Sequence, residues 1–127
     1  MKKNRTILIV DDMRQIRNIL RFSLKKEGFD VVTADSGQAA LDYAFSPVKP
    51  LDLVLLDIMM PKMDGYEVIK RLKKDDRTKN IPVIFLTAKA QVKDVVNGKA
   101  MGADDYVVKP YKFGVLHQKI LDLLNIA

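Results

Sequence analysis

Short unbroken apolar runs alternate along this chain with longer stretches in which apolar residues recur every three or four positions. The runs are ILIV (7–10), VVTA (31–34), LVLL (53–56), PVIFL (82–86) and YVV (106–108). The amphipathic stretches are 14–26, where Ile16, Ile19, Leu20 and Leu24 recur at helical spacing, then 37–45, 66–74, 91–101 and 112–125. Continuous apolar runs predict strands buried on both faces, and the 3.6-residue period predicts helices packed by one face. Gly28 closes the first helix as a C-cap signal, and Asp64 with Glu67 three positions on predicts an acid-headed capping box before the third. Strands alternating with helices imply right-handed crossovers and a parallel sheet, hence a doubly wound α/β domain. At 127 residues the chain has room for one such domain, 1–127, with 47–50 and 75–82 as connecting loops.

Ligands of such sheets bind beyond the carboxyl ends of the strands, so the residues that follow each run matter most. Asp11 and Asp12 follow the first run, Asp57 the third, Thr87 and Ala88 the fourth, and Lys109 and Pro110 the fifth. Each has an ordinary use by itself. Asp11 and Asp12 can cap the first helix, Thr87 can cap the fourth, and Lys109 can be a solvated surface lysine. Taken together they bring three acids, a hydroxyl and an ammonium to one edge of one sheet. Asp57 is the most telling of them, because a carboxylate ending a fully apolar strand must escape to solvent or meet a cation.

Composition narrows the chemistry. With no cysteine, disulfides, thiol catalysis and thiolate zinc sites are excluded, and with a single histidine, His117, neither a His-rich metal site nor a conventional Ser-His-Asp triad is expected. A metal here is held by oxygen, and a cluster of carboxylates suits Mg²⁺. A Mg²⁺ ion and a lysine around one free carboxylate oxygen are the groups that neutralise phosphoryl transfer onto that carboxylate, which makes Asp57 a candidate nucleophile. The net charge of +6 is spread over the N-terminus, the first helix and residues 70–79, so a solvated surface is expected and direct nucleic-acid binding is not. No apolar run approaches the ~20 residues that span a bilayer and no signal-peptide core opens the chain, so a cytoplasmic protein is expected.

The segments ILIVDD, LVLLDIMMPKMDG, FLTAKA and GADDYVVKP, in this order, resemble the receiver domain of two-component response regulators over essentially the whole chain. The resemblance implies a flavodoxin-like (βα)5 fold with strand order 2-1-3-4-5. It implies that Asp57 accepts a phosphoryl group from a sensor histidine kinase or a histidine phosphotransfer protein. Asp12, Asp57 and the backbone carbonyl of Met59 would ligate Mg²⁺, with Asp11 acting through a bound water. Lys109 would pair with Asp57 and then with the phosphoryl group, Thr87 would swing to bond it, small Ala88 would leave access, and Tyr106 would turn inward as Thr87 moves. The Lys109–Pro110 bond is expected to be cis. Signalling would follow from repacking of the fourth helix, fifth strand and fifth helix, read by a downstream protein; Asn97 and Gly98 would make that fourth helix soft. Such a domain is a phosphorelay switch rather than an enzyme, with self-phosphorylation from small donors and autodephosphorylation as its only turnover. Met59 and Lys89 occupy positions that influence hydrolysis of the aspartyl phosphate. Tyr111 stands where receivers most often carry Phe, a difference expected to concern packing. His117 is expected at the surface or its boundary.

Two other chemistries fit part of the pattern. A haloacid-dehalogenase-like phosphatase also uses a strand-end Asp, Mg²⁺, Thr and Lys, but places the nucleophile after the first strand and a second Asp two residues on, where this chain has Met59. A flavodoxin-type cofactor binder shares the topology, but Asp11 and Asp12 would repel its phosphate. Among receivers, a stand-alone signalling protein is the first expectation, since the last helix runs nearly to Ala127. The regulatory module of a longer DNA-binding regulator is the second.

Overall fold

The computed structural model describes residues 4–88, 92–93 and 102–126. Strands β1 (Thr6–Val10), β2 (Asp30–Ala34), β3 (Leu53–Asp57), β4 (Val83–Ala88) and β5 (Asp105–Lys109) form one sheet in the order β2-β1-β3-β4-β5. Every neighbouring pair is parallel. The helices are α1 (Arg14–Lys26), α2 (Gly37–Phe45), α3 (Gly65–Lys74) and, at the C-terminal end, α4 (Phe113–Leu124). This is the flavodoxin-like order that the sequence resemblance implies. The further helix expected at 91–101, with Asn97, Gly98 and the preceding Lys89, lies outside the described residues.

The apolar strands supply both faces of the sheet. Leu8 and Val10 of β1, with Val54 and Leu56 of β3, pack with Leu41 of α2 and Val68, Ile69 and Leu72 of α3. Ile7 and Ile9, with Leu53 and Leu55, pack on the other side with Leu20 and Leu24 of α1 and Leu116 and Ile120 of α4. The two-residue side-chain period of a strand thus persists even where every residue is apolar, because a covered face lies on each side. Burial on both faces holds for β1 and β3 throughout and for β4 up to Ala88; β2 and β5 are largely half-buried. They are the edges of the sheet, where only one neighbour shields each strand.

The helix ends follow local chemistry, with one departure from expectation. Gly28 adopts φ +95° after α1, its N–H donating to the Lys25 carbonyl (3.0 Å) while the Phe29 N–H donates to that of Leu24 (3.1 Å). This paired closure needs a left-handed residue at Gly28. Because an added Cβ there meets nothing within 4 Å, Gly28→Ala is expected to cost about 1–2 kcal/mol purely through backbone strain, measurable as a lower urea midpoint at unchanged slope. The N-cap of α1 is Met13 with no side-chain bond, so the ordinary alternative use of Asp11 and Asp12 as caps of that helix is not taken up. The departure is at α3. Asp64 accepts the Glu67 N–H at 3.0 Å, but the Glu67 carboxylate turns away to accept from Arg71 Nε at 2.9 Å, leaving the capping box half formed. No helix of the described residues is long and apolar enough to cross a membrane.

Candidate functional site

The carboxyl edge of the sheet is built by four strands that end side by side, β1, β3, β4 and β5. Val10, the last residue of β1, pairs with Leu56, so the acids that follow, Asp11 and Asp57, lie at neighbouring exits. Ala88 of β4 pairs with Lys109 of β5, which delivers the lysine to the same edge. Carboxylate oxygens of Asp11, Asp12 and Asp57 all lie within 4.8 Å of one another. Lys109 Nζ stands 3.3 Å from Asp57 Oδ1 and 3.5 Å from Asp11 Oδ2.

These acids are not equivalent. Asp11 is completely buried and Asp57 only 6% exposed, whereas Asp12 faces solvent. Asp11 Oδ1 accepts the Met13 N–H at 2.9 Å, which fixes the turn into α1. Burial raises the Asp57 carboxyl above its ordinary value; the Lys109 ammonium opposes this, the Asp11 charge adds to it, and the Met59 backbone pulls weakly downward. Two buried carboxylates share one ammonium that is itself 30% exposed, so the edge holds more negative charge than its lysine neutralises. A hard divalent cation suits a donor set of carboxylate oxygens at this spacing, and nitrogen- or sulfur-seeking metals do not.

The other sequence-predicted residues surround this cluster at different depths. Thr87 is fully buried within β4, one residue beyond the level of Asp57 on the adjoining strand. Its hydroxyl donates to the Ala88 carbonyl at 3.1 Å. Ala88 is exposed at the strand end. Tyr106 is half-buried and packs against the cluster that contains Phe85, its register partner on β4. Met59, two residues past Asp57, is 59% exposed. The Lys109–Pro110 peptide is cis. His117 is half-buried on α4, stacked on Phe113 at 5.5 Å and edge-on to Phe29 at 6.3 Å, a packing role at the boundary.

Two residues carry more than the sequence suggested. Tyr111 does pack against the α1 and α4 side of the core, yet its phenol is pushed up to about 12, by burial first and then by the charges of Asp11 and Asp57. The aromatic ring therefore lies within electrostatic reach of the acidic edge. Gly65 reads in the sequence only as a break after the strand. In the fold its N–H donates to the Ile58 carbonyl at 2.9 Å, and a Cβ there would stand 2.8 Å from the Asp57 carbonyl oxygen and from Ile58 Cα. Backbone cannot give way as a side-chain tip can. Gly65→Ala is expected to destabilise the fold by about 1–3 kcal/mol in urea and to displace the strand end that carries Asp57.

A doubly wound parallel sheet whose carboxyl edge gathers a buried acid pair, an exposed acid and a lysine defines a class of α/β module with its polar groups at the edge where ligands of such sheets bind. A family model described as "Response regulator receiver domain" matches residues 7–121, and the chain belongs to that family. Among curated proteins it is 46% identical over 119 residues to "Probable transcriptional regulator ycf27" of Guillardia theta, covering 94% of this chain and 45% of that protein. It is 44% identical over 122 residues to "Alkaline phosphatase synthesis transcriptional regulatory protein PhoP" of Bacillus subtilis (strain 168), covering 96% of this chain and 49% of that one. The chain thus spans about half the length of these curated relatives. Among solved structures, chemotaxis protein CheY4 of Vibrio cholerae superposes with a TM-score of 0.87 at 30% identity, covering 95% of this chain and 99% of that one. A response regulator receiver domain protein from Clostridium thermocellum gives 0.88 at 29% identity, covering 95% and 94%.

Proposed function

We propose that this receiver domain is a Mg²⁺-dependent phosphoacceptor switch in which Asp57 takes a phosphoryl group from the phosphohistidine of a sensor kinase or phosphotransfer protein. What supports this most is the meeting of three carboxylates within 4.8 Å with the Lys109 ammonium 3.3 Å from Asp57. An Asp57 oxygen attacks phosphorus, and the phosphorus–nitrogen bond breaks with its electron pair passing to the departing imidazole. An acyl phosphate remains on Asp57. Asp12, Asp57 and the Met59 carbonyl would hold Mg²⁺, with Asp11 acting through water. Bound there, the ion supplies Lewis-acid neutralisation of the transferring oxygens. Lys109 exchanges its contact with the Asp57 carboxylate for one with the new phosphoryl oxygens, which carry close to two negative charges. The Thr87 hydroxyl, now spent on the Ala88 carbonyl, is free to reorient towards them, and the half-buried Tyr106 ring can follow inward. Ala88 leaves room for the incoming donor. The output is a change in the surface formed by residues 91–114 and α4, read by another protein.

The test is incubation with acetyl phosphate, with and without Mg²⁺, followed by intact mass. One labile phosphoryl adduct that requires Mg²⁺ in the wild type and is lost in Asp12→Ala is the expected result. An unmodified wild type under both conditions would overturn the proposal. A second reading concerns context. Because the chain spans about half the length of relatives named as transcriptional regulators, the receiver serves as the regulatory module of a longer regulator, and the length of the native reading frame decides this.

A further inference from the structure

Every polar backbone atom of Asp11 is held. Its N–H donates to the Ala34 carbonyl at the end of β2 (3.2 Å), and its carbonyl oxygen accepts from Arg17 Nη1 at 2.9 Å. Arg17 reaches back for this contact from the first turn of α1, where its own N–H donates to the Met13 carbonyl at 3.1 Å. Its side chain is half-buried there, and it forms no ion pair among the described residues. Met13 in the capping position offers no side-chain bond of its own, so the turn into α1 is held by Asp11, through its Oδ1, which accepts the Met13 N–H, and its carbonyl, which accepts from Arg17. The Asp11 carbonyl belongs to the peptide that leads into Asp12, the solvent-facing acid of the cluster. That peptide plane sets the direction in which Asp12 leaves the chain, and no described side chain donates to the Asp12 carboxylate to set it instead.

We infer that Arg17 is a positioning residue for the metal site, clamping the Asp11–Asp12 peptide so that the Asp12 carboxylate meets those of Asp11 and Asp57. The inference rests on the reading that these three acids hold a divalent ion. Second-layer hydrogen bonds of this kind typically account for 10- to 100-fold in metal affinity. Electrostatics alone gives the opposite sign. Removing a cation beside a carboxylate cluster strengthens its hold on Mg²⁺, by an amount that salt screens away. The two roles therefore separate in direction as well as in size.

The experiment is calorimetric titration of the full chain with Mg²⁺ at low and high KCl, on the wild type, Arg17→Met and Arg17→Lys, alongside urea unfolding in EDTA. Methionine keeps the apolar stem and removes the donor; lysine restores a donor and the charge. Arg17→Met is expected to bind Mg²⁺ at least tenfold more weakly at both salt concentrations, with Arg17→Lys recovering most of the loss and the unfolding curves in EDTA staying close together. Wild-type or tighter binding by a folded Arg17→Met overturns the clamp. Should Arg17→Met fail to fold, Arg17→Ala measured the same way carries the test, and wild-type or tighter Mg²⁺ binding by it overturns the clamp. A wild type that binds no Mg²⁺ sinks the metal reading itself, an outcome distinct from failure of the clamp.

Discussion

Replacing Asp57 with Asn is expected to abolish phosphoryl incorporation while making the metal-free protein more stable. The two effects have one cause. Burial and the nearby Asp11 charge hold the Asp57 carboxyl above its ordinary value of 3.8, so ionising it works against the fold despite Lys109. For a carboxyl raised in this way, the stabilising contribution is fully present below pH 3.8 and is lost as the pH climbs through the higher folded value. Once that range is passed the wild type carries the conflict, and an uncharged amide of the same shape removes it. Thermal unfolding in EDTA is expected to shift up by a few degrees in Asp57→Asn, on the order of 1 kcal/mol, and the difference should shrink as the buffer is acidified towards pH 4. Added Mg²⁺ should reverse the order, because the wild type keeps the carboxylate that the ion needs. An Asp57→Asn protein that still gains a labile phosphoryl group, or that is less stable than the wild type in EDTA, contradicts this account of the strand end.

Lys109→Met is expected to show the largest loss of stability among single changes at the site. It leaves the fully buried Asp11 and the 6% exposed Asp57 with no ammonium between them. Removing one member of a buried ion cluster costs about 3–5 kcal/mol when water is excluded. Here Lys109 is 30% exposed, so solvent relieves part of that, and about 2–3 kcal/mol in EDTA is expected. The same substitution should tighten Mg²⁺ binding, since the ion no longer competes with an ammonium 3.3 Å from Asp57 Oδ1. Stability should therefore be recovered as Mg²⁺ is added, even while the phosphorylated form fails to reorganise its surface. Urea unfolding across a Mg²⁺ series checks both parts. A variant as stable as the wild type in EDTA would show that Lys109 is a surface lysine after all.

The positions of Asp11, Asp57 and Lys109 were legible because each follows an apolar run, and in a parallel sheet all strands deliver their carboxyl ends to one edge. Asp64 as a cap and Gly28 as a helix stop were legible for a similar reason, since both act on backbone groups within a few residues. The depth of the acids was not. Asp11 and Asp12 are neighbours in sequence, yet one is sealed by the Met13 amide and Lys109 while the other stays in solvent. Whether Glu67 closed its capping box or paired with Arg71 was likewise a competition between two local partners that spacing alone does not rank. The half-burial of β2 and β5 depends on which strands become edges, a property of strand order rather than of any strand's own residues.

What this sequence determined by itself is the alternation of buried strands and amphipathic helices, and with it the chemistry gathered at one edge, because both arise from periodicity and from what directly follows each apolar run. Only the tertiary structure decided which carboxylate is sealed from water, that Gly65 must lack a side chain to pass over the Asp57 backbone, and that Arg17 reaches back to the Asp11 carbonyl. Those outcomes depend on distances between segments far apart in the chain, or on how a turn folds back upon itself, and no local pattern of apolar and polar residues encodes them.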